Sequence, residues 1–295
     1  MIVVGVDESG TGALAGPYMV AAVGLTAEST DTLRGAGVTD SKQLTDTRRR
    51  ELLELIMNEA AYVRVSTVTP ARIAETAGTK IAWADAVNAT LTEAPADTHK
   101  IIIDGLRVAG VTAPKVQFLP KADATVVAVG AASIVAKTVR NDAMLELAQR
   151  YPEYGWEQNY GYASELHRKQ LRLLGRSVHH RLNYEPVAAA KPRQTTVVNM
   201  RDPRANGAVY IGRPGQGLAG PWGNPIVAGR PCLVCKDTHA LPGDTLGCYR
   251  RWLRWKLRKD PNWARQFYAL RGSTLVCFCA PTPCHGHVMA EFLDT

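Results

Sequence analysis

The chain opens on an apolar, largely β-branched run, Met1-Ile-Val-Val-Gly-Val6, which ends directly in two carboxylates, Asp7 and Glu8. Lys100-Ile-Ile-Ile-Asp104 repeats the form and again ends in a carboxylate. Short continuous apolar runs suit strands buried on both faces. Residues 45–61, 70–91, 131–150 and 164–174 read as helices, the second opening with proline in its first turn. Strands alternating with helices predict an α/β layer with a mostly parallel or mixed sheet. An ionised carboxylate at the end of such a strand is costly unless its charge is offset, and a hard cation such as Mg²⁺ or Mn²⁺ does this while leaving positions open for phosphate oxygens and water. The plainer reading of each aspartate alone is a strand-end residue hydrogen-bonded to backbone amides. In a regular strand Asp7 and Glu8 point to opposite faces, so both reach one site only if the strand end relaxes.

At 295 residues, 46% hydrophobic and 21% charged, the chain can bury a sizeable core, which excludes a disordered or fibrous class and favours two domains. Its longest apolar stretch, residues 126–136, is too short to span a bilayer, and the N-terminus lacks a basic region and cleavage site. A cytoplasmic protein without a membrane partner is expected, and a monomer is favoured. The net charge of +8 is unevenly placed: residues 1–190 carry 20 Lys and Arg against 21 Asp and Glu, whereas residues 191–295 carry 15 against 6. All six cysteines and four of the six tryptophans also lie in that tail. The seam falls where Val187-Ala-Ala-Ala-Lys-Pro-Arg-Gln-Thr195 loses any apolar period. The expected division is therefore 1–187, a linker at 188–195, and a basic Cys/Trp-rich domain at 196–295.

Further landmarks follow the first carboxylates. Val6-Asp-Glu-Ser-Gly-Thr-Gly-Ala-Leu-Ala-Gly-Pro17 is succeeded by Asp40-Ser-Lys42, Ile103-Asp-Gly105, Lys121-Ala-Asp123, Ala131-Ala-Ser-Ile-Val-Ala-Lys137, Gly161-Tyr162 with His167, and His180-Arg181. The ordered set resembles the ribonuclease HII family over residues 1–187. That resemblance implies an RNase H-like mixed sheet flanked by helices. It also implies an endonuclease that cuts the RNA strand of RNA/DNA hybrids, or 5′ of a ribonucleotide embedded in duplex DNA, leaving a 3′-hydroxyl and a 5′-phosphate. Asp7, Glu8 and Asp104 become ligands of Mg²⁺ or Mn²⁺, one ion activating water and another stabilising the leaving oxygen.

The resemblance places a fourth carboxylate after an arginine, where this chain has Asn141 and then Asp142. A small helix shift that lets Asp142 serve as catalytic group and metal ligand is the expectation; the alternative is a catalytically weakened nucleic-acid-binding protein. Gly10, Thr11 and Gly12 are expected to bring backbone amides close to the substrate, with Thr11 standing where the family usually has arginine. Tyr162 takes the position of the tyrosine that stacks at the RNA to DNA junction and senses the 2′-hydroxyl. Lys42 and Arg181, with Lys121 and Lys137, are phosphate-facing candidates, each weighed against a merely solvated or structural charge.

In the tail, residues 195–199 and part of 206–214 read as strands, and 243–260 as a helix with Leu246, Tyr249, Trp252, Leu253 and Leu257 on one arc and Arg250, Arg251, Arg254 and Arg258 on another. Such a basic face is either a phosphate surface or a solvated one. Cys277, Cys279, Cys284 and His287 are candidate Zn²⁺ ligands, with Cys232 and Cys235 a separate pair; buried free thiols are the bland alternative. The tail resembles a small family of uncharacterised domains associated with phages and bacteria, carried by Tyr210-Ile-Gly-Arg-Pro214, Trp222-Gly-Asn-Pro225 and Cys277-Phe-Cys-Ala-Pro-Thr-Pro-Cys-His-Gly286. This implies a smaller α/β domain and, the role of that family being unknown, assigns it no particular activity.

Overall fold

A computed structural model describes residues 1–76, 78–215, 218 and 220–294. They form two compact units: Met1–Leu147 with Gly155–His167 and His179–Ala188, and Ala148–Tyr154 with Arg168–Val178 and Ala189–Thr295. The chain runs β1 (Ile2–Ser9), β2 (Tyr18–Leu25), α1 (Ala27–Gly35), α2 (Asp46–Glu59), β3 (Tyr62–Val68), α3 (Pro70–Glu75), α4 (Thr79–Leu91), β4 (Thr98–Asp104), β5 (Val116–Leu119), α5 (Val127–Arg150), α6 (Trp156–Asn159), α7 (Glu165–Leu174) and α8 (Glu185–Ala188).

The first unit is built on a five-stranded mixed sheet of order β3-β2-β1-β4-β5, antiparallel across β3, β2 and β1 and parallel across β1, β4 and β5. The period of two sorts its residues between two helical layers. Ile2, Val4, Val6, Tyr18 and Val20 pack with Trp83 and Val87 of α4, whereas Met19, Ala21 and Val23 pack with Leu33 of α1, Ile56 of α2 and Val135 of α5. Helix α5 crosses β1 at Gly5, where a Cβ would lie 2.2 Å from the carbonyl carbon of Ala128. Only glycine allows the two backbones to meet this closely.

Helix starts follow their caps: Thr45 accepts from the Arg48 amide at the head of α2, and Thr69 from the Arg72 amide at the head of α3. The helix expected over residues 70–91 is two helices. The second begins after Gly78, whose φ of +153° a helix does not accommodate; Ala77 lies outside the described residues.

In the second unit, β6 (Thr196–Asn199), β7 (Val209–Tyr210), α9 (Leu246–Lys259), α10 (Pro261–Tyr268), β8 (Thr274–Cys277) and α11 (His285–Asp294) complete the chain. The three strands form a parallel sheet of order β6-β8-β7. Its core gathers Leu275 of β8, Tyr249 and Leu253 of α9, Phe267 of α10 and Met289 of α11. Within 206–214 only Val209 and Tyr210 form a strand. The segment read as a linker is held in this unit: buried Arg193 pairs with Glu153 at 2.8 Å, and Thr195 donates through its amide and hydroxyl to Asp294.

Candidate active site

Register builds the site. Val6 pairs with Ile103 across the parallel β1/β4 ladder, so Asp7 and Asp104 stand one step beyond, at the carboxyl edge of the two central strands. Ligands of α/β sheets gather at this edge. Strand β1 does not relax there, because its pairing with β2 continues through Ser9 opposite Met19. Asp7 and Glu8 consequently leave opposite faces of the strand, and the two carboxyls come into one another's field, and that of Asp104, around its end. Asp7 is buried, its Oδ1 accepting from the Glu8 amide at 2.8 Å, and Ser133 of α5 stands beside its carboxyl, with the Ser133 hydroxyl 2.9 Å from that of Ser41. Glu8 accepts from the Trp83 indole of α4 at 3.1 Å. Asp104 accepts from the Ala122 amide at 2.7 Å, which draws the turn carrying Asp123 up to the strand end.

Four carboxyl groups therefore share one field. Burial, then Glu8 and Asp104, push Asp7 up to about 8; burial, then Asp104 and Asp123, also raise Glu8. Asp123 is raised by burial and by Asp104 and Asp40. The exposed Lys42 ammonium is the nearby cation: its own desolvation works against the charge, but Asp40, Asp123, Asp7 and Asp104 together raise its pKa. An oxygen-only set of this kind, buried and short of positive charge, has the donor chemistry that a hard divalent cation takes, with Asp7 and Asp104 adjacent at the strand ends and Glu8 and Asp123 within the field of Asp104.

These shifts set a pH dependence. A buried acid whose folded pKa lies above its unfolded value, as for Asp7, contributes stability below about pH 4 that is lost as pH rises through about 8. In chelator, the midpoint of thermal unfolding is expected to fall between pH 5 and 8.5, and to fall less steeply in Asp7→Asn. Parallel slopes for parent and variant would show that Asp7 titrates normally.

Asp142 is not brought to this group. It is half-exposed and forms a 2.6 Å ion pair with Arg50 of α2. Ser133 marks where α5 meets Asp7, and Asp142 lies nine residues further along, about 13 Å of helical rise away. No small rotation of the helix removes that distance. Asn141 is buried. Asp123, which the sequence reading passed over as a carboxylate, carried a visible signal as the end of Lys121-Ala-Asp123.

Arg181 does not face solvent either. It is fully buried, donating to the carbonyls of Gly16 and Thr11 at 2.9 and 2.8 Å and lying over the Tyr18 ring, so it holds the Gly10-Thr11-Gly12 loop from behind. Tyr162 is exposed beside that loop, because Gly161, at φ +78°, accepts from the Leu14 amide at 2.8 Å and presses on the Ala15 carbonyl. His167 anchors the same turn: its Nδ1 donates to the Tyr162 carbonyl at 2.9 Å, while its Nε2 accepts from Trp156. Sequence reading missed Arg140. Its buried guanidinium lies 5.0 Å from the Tyr162 ring centroid and against Gly10, and its three nitrogens have no hydrogen-bond partner among the described residues. Burial pushes its pKa down to about 10.

In the second unit the three tail motifs meet around one cavity of about 1000 Å³ at the carboxyl edge of the parallel sheet. Arg213 donates to the Asn224 and Ile226 carbonyls, both at 2.9 Å, and Tyr210 to the Arg213 carbonyl at 2.9 Å. The four residues read as zinc ligands do not form one set. Cys284 Sγ lies 3.3 Å from Cys277 Sγ and 3.5 Å from His287 Nδ1, but Cys279 is exposed. Among the described residues, the group whose ligand atoms all fall within 4.8 Å is instead Cys232, Cys235, His239 and Cys248. The basic arc of α9 is partly spent internally, with Arg250 paired to Glu291, Arg251 donating to Cys248 and Arg254 over Phe292. No helix among the described residues is long and apolar enough to cross a membrane.

Comparison with known proteins agrees with this architecture. The family model described as ribonuclease HII matches residues 4–186, and a domain of unknown function, DUF4326, matches 197–295. Ribonuclease HII of Maricaulis maris is 39% identical over 189 residues, covering 64% of this chain and 84% of the relative. That of Porphyromonas gingivalis is 36% identical over 65% of this chain and 92% of its own length. Among solved structures, ribonuclease H2 of Pyrococcus horikoshii superposes with a TM-score of 0.56 at 29% identity, over 64% of this chain and 96% of that one. Bst-RNase HIII in complex with Mn²⁺ gives 0.54 at 25% identity, over 64% and 68%. With a mixed five-stranded sheet, carboxylates at its central edge and a family match over most of its length, the chain belongs to the ribonuclease HII family and is a ribonuclease H hydrolase.

Proposed function

We propose that the first unit is a metal-dependent endoribonuclease that cuts the RNA strand of RNA/DNA hybrids, or 5′ of a ribonucleotide embedded in duplex DNA, leaving a 3′-hydroxyl and a 5′-phosphate. The observation that carries this reading is the convergence of Asp7, Glu8, Asp104 and Asp123 in one electrostatic field at the carboxyl edge of β1 and β4. These four would hold Mg²⁺ or Mn²⁺, which supplies an activated water and charge stabilisation at the leaving oxygen when bound.

The chain's own residues do the rest. Gly10-Thr11-Gly12 offers a backbone edge to the substrate, fixed from below by Arg181. Tyr162 presents an aromatic face and a hydroxyl beside it, suited to a ribose and its 2′-hydroxyl. Arg140 keeps that ring in place and puts positive charge behind the loop. Lys42, held charged by the acidic group, reaches the same edge and is suited to a phosphate oxygen. The alternative is a binding module with a missing fourth carboxylate; Asp123, in the field of Glu8 and Asp104, supports the enzyme reading over it.

The test compares three end-labelled duplexes with Mg²⁺ or Mn²⁺ and with chelator: one ribonucleotide within DNA, a uniform hybrid, and all-DNA. Cleavage of the first two only, lost in chelator and in Asp7→Asn, is expected. Equal cutting of all-DNA, or full activity in Asp7→Asn, would refute the proposal. Tyr162→Ala is expected to lose about tenfold or more on the single-ribonucleotide duplex, the scale of one base-stacking contact, with unchanged thermal stability. A rate equal to the parent's would remove Tyr162 from the substrate surface.

A further inference from the structure

Between the end of β7 at Tyr210 and the start of α9 at Leu246, the described residues contain one 3₁₀ turn, Pro242–Thr245, and no strand or α-helix. Irregular stretches of this length are uncommon in compact domains unless something other than a backbone ladder holds them. Hydrophobic burial does part of that here through Ile226 and Cys232.

We propose that Cys232, Cys235, His239 and Cys248 form a closed, four-coordinate zinc site that ties this segment to the first turn of α9. Three sulfurs and one imidazole nitrogen, all within 4.8 Å of one another, match the number and kind of donors that a structural zinc takes. Thiolate and imidazole together select zinc over the hard cations that suit the carboxylates of the first unit. With four protein donors the site leaves no open position for substrate, so its role is structural.

The backbone around the first two cysteines is shaped to aim them inward. Cys232 donates its amide to Asp237 at 2.8 Å, and its carbonyl accepts from Lys236 at 3.1 Å, with Lys236 at φ +75°. Pro231 bridges to Thr238, and the Gly229 amide reaches the His239 carbonyl at 2.8 Å, closing a knuckle whose two sulfurs and one ring share a side. The Val234 amide points at Cys232 Sγ at 3.4 Å, and Cys235 Sγ lies 3.5 Å from His239 Nε2. Cys248 arrives from the helix, where the Arg251 guanidinium donates to its sulfur at 3.0 Å. Three thiolates and one Zn²⁺ leave a single negative charge, which Arg251 offsets; outer partners of this kind orient and tune metal ligands.

The experiment takes the full chain, purified without chelator from zinc-supplemented culture, and measures bound metal by mass spectrometry. About one zinc per chain is expected in the parent. Cys279→Ser should retain it, whereas Cys248→Ser and Cys235→Ser should lose it. Because those two variants could fail to fold, the unaltered protein is also alkylated with and without chelator, and each cysteine is quantified. Cys232, Cys235 and Cys248 should be protected until zinc is stripped, while exposed Cys279 reacts throughout. A zinc-free parent, equal alkylation of Cys235 in both conditions, or zinc that departs with Cys277→Ser and stays in Cys248→Ser would overturn the proposal.

Discussion

Asp123→Asn is expected to lower hybrid cleavage by about two to three orders of magnitude, while Asp142→Asn stays within about threefold of the parent. A metal site supplies several kcal/mol of transition-state charge stabilisation, and each ~1.4 kcal/mol is tenfold in rate. Removing one carboxylate from the group at the sheet edge forfeits much of that. Asp123 belongs to the group because the Asp104 carboxylate captures the Ala122 amide, fixing the turn, and because its charge is felt by Glu8. Asp142 is engaged elsewhere, with Arg50. Its substitution removes a half-exposed ion pair, a loss of at most about 1 kcal/mol in stability. Steady-state rates on a uniform hybrid, with folding checked by circular dichroism, decide the point. The reverse order of losses would return the fourth carboxylate to α5.

Gly5→Ala is expected to cost about 3 kcal/mol or more of unfolding free energy, at the upper end of what overpacking does. A methyl there would lie 2.2 to 2.4 Å from three backbone atoms of Ala128 and Val129, none of which is the movable end of a side chain. Helix α5 would have to rise from the sheet. Since α5 also brings Ser133 to Asp7, cleavage should decline with stability. Urea denaturation of parent and variant gives the difference. A loss under about 0.5 kcal/mol would mean that α5 slides freely over β1.

The parts of this architecture that were legible in the sequence are those governed by local pattern. Strands β1 and β4 announce themselves as unbroken apolar runs, and their terminal carboxylates follow from where each run stops. Helices α2 and α7 are bounded by local spacing and, for α2, by its Thr45 cap. What pattern could not supply was placement between elements. Sequence order offers Asn141 and Asp142 after an arginine, but the position of α5 along β1 is set by the contact at Gly5, which no periodicity encodes. Asp123 sits in a 3₁₀ turn after a short, half-buried strand, and only the tertiary bond from Ala122 to Asp104 discloses its neighbours.

Arg181 and Arg140 show the same limit in another form. Arg181 reads in the sequence as a phosphate contact and Arg140 draws no notice, yet both guanidinium groups are buried behind the Gly10-Thr11-Gly12 loop. In the tail, the dense Cys277 to His287 motif drew the metal assignment, although its cysteines divide between the sheet edge and an exposed loop. The compact set joins Cys232 and Cys235 to a histidine and to a cysteine on α9, a pairing that becomes visible only once the knuckle and the helix are side by side.

The most direct test of the central claim, that the carboxylates at the edge of β1 and β4 hold a divalent cation, is a calorimetric titration of Mn²⁺ into the full chain without substrate. Saturable binding is predicted for the parent and for Asp142→Asn, with loss of about tenfold or more in affinity for Asp7→Asn and Asp123→Asn. Binding that is unchanged in Asp7→Asn and Asp123→Asn, or that is lost in Asp142→Asn, would contradict it.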